Sequence, residues 1–120
     1  MTNYIWITTE KIGFHNWPEA PEEVEFLQHK HRHKFMFKVA IEVGHNDRDI
    51  EFFLFKRFVD GVLVEIFEEL EERASCEMIA HDLWEEITIA YPNRHIKISV
   101  SEDGEVGVDM DYPVVNLEQE

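Results

Sequence analysis

The chain has a single cysteine, Cys76, in 120 residues, so it cannot form an internal disulfide. One thiol suits a reducing, cytoplasmic setting. Cations are also scarce. Eleven Lys and Arg stand against 26 Asp and Glu, a net charge of −15. Such a chain has no general attraction for nucleic acid or an anionic membrane surface. No run approaches the roughly 20 apolar residues of a membrane-spanning helix. The opening residues, MTNYIWITTEKIG, lack the basic stretch and apolar stretch of a signal peptide. Internal repeats and low-complexity segments are absent as well.

What is present is enough for a core. Hydrophobic residues make up 44% and aromatics 12%, which argues against disorder. The length suits one domain over residues 1–120, with 113–120 a frayed tail. Tyr4–Thr9 is β-rich. Asn16–Glu25 holds two prolines and reads as a loop. From His29 to Val43 the chain alternates. His29, His31, His33, Phe35, Phe37, Val39, Ile41 and Val43 share one parity; Lys30, Arg32, Lys34, Lys38 and Glu42 share the other. Period 2 over this length predicts a strand with one apolar face. Gly44–Asp47 is a turn.

The period then changes. Apolar residues from Phe52 to Leu70 recur at helical spacing, with Glu51 in or before the first turn and Gly61 inside, where it could mark close packing. Ser75 can cap a second helix, whose stripe is Ile79, Leu83 and Ile87. Pro92-Asn93 ends it. His95–Ser101 and Glu105–Tyr112 alternate again around Asp103-Gly104, a hairpin signal. The order is strand, strand, helix, helix, strand, strand. This predicts an α+β fold, a four-stranded antiparallel sheet with two helices on one face.

Seven histidines is a high share, and three fall within five positions. On one strand face, His29, His31 and His33 stand about 7 Å apart at each i, i+2 step. Neighbouring imidazoles at that spacing can converge on one cation. His15, after Gly13-Phe14, is placed to add a third ligand, as a zinc site requires, because the preceding strand would pair antiparallel through the proline loop. The plainer reading is a row of polar positions beyond the edge of the core. Lys30, Arg32 and Lys34 form the only basic cluster, on the opposite face. They could hold an anion, meet acidic groups of another subunit, or simply pair across a solvated sheet. His45, His81 and His95 read as surface or core-edge residues.

These residues together resemble a known family: the 6-pyruvoyl-tetrahydropterin synthases and 6-carboxytetrahydropterin synthases, of the tunnelling fold. The likeness covers roughly residues 4–112. It rests on Phe14-His15, on His31-Arg32-His33-Lys34-Phe35, on Ile50-Glu51-Phe52, on Ser75-Cys76-Glu77 and on Val100-Ser101-Glu102. The resemblance implies a ββααββ tunnelling fold and a Zn2+ held by His15, His31 and His33. It implies Glu77 and Glu102 as the grip on a pterin, a task suited to carboxylates, which accept paired N–H bonds. It further implies carbon–oxygen lyase chemistry on a 7,8-dihydroneopterin triphosphate, with Lys30, Arg32 and Lys34 available to the triphosphate.

The departures are equally clear. The family's cysteine before the His-x-His is missing from Glu25–Gln28, and its Asp-His pair is missing from the short link Glu71–Ala74. Cys76, at a helix start where the dipole lowers a thiol pKa, and His29, as a base, are the candidates to replace them. Two functions are therefore expected. One is a zinc-dependent pterin-synthase-like enzyme. The other is an inactive homologue that captures a pterin or purine-nucleotide-like ligand in a pocket between subunits. A structural module without metal or ligand is a third possibility. Exposed sheet edges and the resemblance both imply a homo-oligomer, a dimer, trimer or hexamer.

Overall fold

The computed structural model describes residues 2–114; of the expected frayed tail, residues 115–120 lie outside the described part. The elements in chain order are β1 (Asn3–His15), β2 (His31–Val43), α1 (Phe52–Glu68), α2 (Cys76–Ala90), β3 (Ile96–Glu102) and β4 (Val106–Tyr112). A 3-10 segment, Glu22–Gln28, lies between β1 and β2. The strands form one antiparallel sheet in the order β1-β2-β3-β4. The fold is α+β, as the alternation of periods indicates.

Alternation along β2 decides which face is covered. Phe35, Phe37, Val39 and Ile41 are buried on one face; Met36 and Lys38 are exposed on the other. Ile96, Ile98 and Val100 of β3 join the buried face. Burying one such side chain contributes about 1.5–3 kcal/mol. Both helices cover this face. Phe55, Val59, Val62 and Leu63 of α1 meet Ile79, Ala80, Leu83 and Ile87 of α2 in the same core. The Glu51 side chain caps α1 by accepting from the Leu54 amide at 2.7 Å, and Ser75 caps α2 by accepting from the Met78 amide at 3.2 Å. Each cap satisfies a donor that has no partner inside the helix.

Four local expectations change. β1 runs to His15, well past Thr9, because β2 offers it a partner at every position from Asn3↔Val43 to His15↔His31. β2 starts at His31, so His29 is not on the strand face; it closes the 3-10 segment. That segment replaces part of the expected loop. Gly61, read as a mark of close packing, has nothing within 4 Å of the position a Cβ would take. The close approach occurs at Gly13, where a Cβ would stand 2.6 Å from Phe67 Cε2. Phe67 can therefore lie over β1 only while residue 13 lacks a side chain.

Candidate metal centre and its cleft

At one end of the sheet the buried face stops being hydrocarbon. The register pairs His15 with His31 and Gly13 with His33. All three imidazoles emerge on the helix side, directly beyond Phe35, whose ring lies edge-on to His15 at 5.2 Å between centroids. The centroids are 4.5 Å apart for His15–His31, 4.7 Å for His31–His33 and 5.1 Å for His15–His33. One nitrogen from each ring lies within 4.8 Å of the other two.

Each ring is oriented by a hydrogen bond at Nδ1. His15 Nδ1 donates to the Ala74 carbonyl at 3.1 Å, His31 Nδ1 to the His29 carbonyl at 2.8 Å, and His33 Nδ1 to the Asp103 carboxylate at 2.8 Å. Carbonyl and carboxylate oxygens only accept, so each Nδ1 carries a proton, and in the neutral ring the lone pair is on Nε2. Among the described residues, His31 Nε2 and His33 Nε2 are buried without a hydrogen-bond partner. A buried lone pair without a donor is destabilising. Converging lone pairs, each imidazole held by an acceptor at its far nitrogen, are the arrangement by which proteins hold a metal ion. The three residues can therefore hold a cation, and the donor set does not distinguish zinc from other divalent ions that accept imidazole.

The electrostatics agree. Burial pushes the His15 pKa below its ordinary value, against the pull of the Ala74 carbonyl and the Glu102 charge. The ring is then neutral and free to ligate at neutral pH. The hydrogen bond from His33, supported by the Lys34 amide at 2.9 Å, holds Asp103 below the usual carboxylate range.

The cluster borders a cleft of about 500 Å³ between the sheet end and the start of α2. His15, His31, Cys76, Glu77 and Glu102 line it, with Trp17, Leu27 and Arg73. The structure thus brings together both glutamates, two of the three imidazoles and the cysteine singled out in the sequence. His29 is exposed and outside the cluster; it contributes its carbonyl, not its ring. Cys76 is buried, and burial with the nearby Glu102 and Glu77 pushes its thiol up to about 12. This opposes the lowering expected from the helix dipole, because desolvation and two carboxylates outweigh one helix end.

Lys30, Arg32 and Lys34 do not line the cleft. Lys30 reaches Glu72 at 3.0 Å, and Lys34 on the open sheet face approaches Glu10 at 3.9 Å. Arg73, paired with Glu19 at 3.0 Å, is the cation at the cleft. Arg73 and Trp17 had no distinguishing sequence pattern. Only Asp103 gave a signal, one residue after Glu102 at the hairpin turn, and it read as turn chemistry.

Neither the comparison with protein-family models nor that with curated proteins finds a match. No helix among the described residues is long and apolar enough to cross a membrane.

Proposed function

We propose that this chain is a zinc protein of the tunnelling fold, similar to the pterin synthases, that takes a dihydropterin triphosphate or a related guanine-like heterocycle into the cleft beside His15 and His31. The observation that carries the reading is the convergence of three Nδ1-anchored imidazoles, two of which, His31 and His33, have a buried Nε2 without a hydrogen-bond partner among the described residues. A bound zinc would polarise a carbonyl or hydroxyl oxygen of the ligand. Glu77, at the first turn of α2, and Glu102 offer carboxylates to the N–H edge of the heterocycle. Trp17 and Leu27 give the cleft apolar wall, and Arg73 gives it a positive charge for a phosphate. A homo-oligomer belongs to the same proposal, since among the described residues β1 and β4 are the sheet edges, and Trp6 and Met36 are exposed on the open sheet face.

One observation favours the capturing protein over the enzyme. Proton transfer in the cleft needs a group that ionises near neutral pH, whereas the Cys76 thiol is pushed up to about 12 and His29 is exposed and outside the cluster. The test is incubation of the zinc-loaded protein with 7,8-dihydroneopterin triphosphate. Binding without release of triphosphate establishes capture. Release that disappears in His31→Ala establishes the enzyme. Failure of wild-type protein to bind zinc or the pterin overturns both.

A further inference from the structure

The carboxylate of Glu102 is in an unusual position for a group that only grips a ligand. Oε1 lies 3.2 Å from His15 Nε2, and Oε2 lies 3.3 Å from His33 Nε2. In the neutral rings both nitrogens carry lone pairs, because both Nδ1 atoms donate elsewhere. Acceptor faces acceptor in each contact, and His33 Nε2 makes no hydrogen bond there. Such contacts repel unless positive charge, a proton or a metal cation, lies between them. Each contact, His15 through Oε1 and His33 through Oε2, has the spacing of two ligands on one cation. Two ligand atoms, each about 2.0–2.1 Å from a tetrahedral zinc, stand about 3.3 Å apart. A side chain only about one-fifth exposed, at the last position of β3, is also held where it is by the sheet register Phe35↔Glu102.

We propose that Glu102 is a fourth protein ligand of the cation held by His15, His31 and His33. This inference rests on the metal reading above and adds to it. The centre is then closed by protein when the cleft is empty, as structural sites are, and it opens only when Glu102 leaves the cation. A ligand entering the cleft reaches the cation by displacing this carboxylate, and Glu77 alone remains as a committed grip on the heterocycle's N–H edge. Asp103 is a positioning residue in the same arrangement, since it fixes the His33 tautomer that turns Nε2 towards Glu102.

Cobalt(II) replaces zinc as the probe, because its visible spectrum reports coordination. Wild type, Glu102→Ala, Glu102→Gln, Glu77→Gln and His31→Ala are titrated with Co2+ against a competing chelator, and azide is then added to each. A folded state is checked by circular dichroism. The expected result is that Glu102→Ala weakens Co2+ by at least tenfold, within the roughly 10–100-fold range seen for groups supporting a metal site, whereas Glu77→Gln leaves affinity unchanged. Azide shifts the spectrum of Glu102→Ala, where water holds the vacated position, and leaves wild type unchanged. If Glu102→Ala fails to fold, the Glu102→Gln comparison carries the same test. Wild-type binding lost in His31→Ala but unaltered in both Glu102 variants, or a wild-type spectrum that responds to azide as theirs do, overturns the role of Glu102 and leaves the three-histidine site standing. No Co2+ bound by wild type overturns both.

Discussion

The two ends of the sheet's covered face are both closed by polar clusters, and they differ in one respect. At the far end, Asp49 Oδ2 accepts from Arg94 at 2.8 Å and from the Gly44 amide at 2.7 Å, while Arg94 also donates to the Glu42 carbonyl at 3.0 Å. Donors and acceptors match, and the cluster ties the β2 turn to the start of β3. At the near end, His15, His31, His33 and Glu102 present acceptors to one another. The first cluster is complete as protein. The second leaves nitrogens unmatched where a cation could be held. Buried polar groups that satisfy each other indicate structure, and those that do not indicate a ligand.

The largest expected effect separates these two ends directly. Zinc added at about 1,000 times its dissociation constant should stabilise the wild type by about 4 kcal/mol, since only the folded chain brings the ligands together. A chelator should reverse this, and His31→Ala should abolish it. In metal-free protein His31→Ala should leave the melting temperature near wild type, because the imidazole lost has an unsatisfied Nε2. Arg94→Ala should lower it with or without zinc. Calorimetry of both variants with zinc and with chelator checks the contrast. Equal responses to zinc in wild type and His31→Ala would erase the distinction between the ends.

Backbone at the near end is also adapted to its side chains. Gly13, opposite His33, should not tolerate a methyl group, since Phe67 would have to move. Gly13→Ala is expected to cost about 1–3 kcal/mol, as overpacking does. Gly61, in a helix interior with open space around it, should behave oppositely. Gly61→Ala is expected to stabilise by up to about 1 kcal/mol. Chemical denaturation of the two variants decides this, and a stable Gly13→Ala would show that Phe67 has room that the close contact denies.

The sequence showed most of this fold and part of the site, for identifiable reasons. Period 2 in β2 and the apolar stripes of α1 and α2 are local patterns, and they are where the structure has them. The full length of β1 was hidden, because Glu10–His15 carries little β signal and is a strand only through pairing with β2. His31 and His33 were visible through parity. His29 had the same parity, yet it precedes the first pair of the ladder, and parity has no meaning outside a strand. Two of the three anchors at Nδ1 were invisible, since Ala74 and Asp103 are 59 and 70 residues away from the rings they orient. Contacts of that kind depend on packing between elements, which no spacing rule in a single sequence encodes.

The smallest effect is electrostatic and gives the two ends opposite sensitivities to pH. The Arg94 hydrogen bond, with the Gly44 amide, holds the Asp49 carboxyl down at about 2 from the usual 3.8. A carboxylate with a lowered folded-state pKa contributes stability above its unfolded value and loses it as pH falls from 3.8 towards 2. Asp49→Asn should therefore lower stability near neutrality and flatten the profile in that acid window. His15 acts in a higher window. Its folded-state pKa lies below 6.5, so the metal-free protein should begin to lose stability as pH falls through 6.5, where the unfolded chain takes up the proton more readily. Zinc should move that loss to lower pH by competing with protons for the imidazoles. Melting curves collected from about pH 8 to 3, with and without zinc, test both windows. A zinc-dependent shift confined to the higher window supports the contrast between a self-sufficient cluster and one awaiting its ion, and a shift at the Asp49 window instead would reverse it.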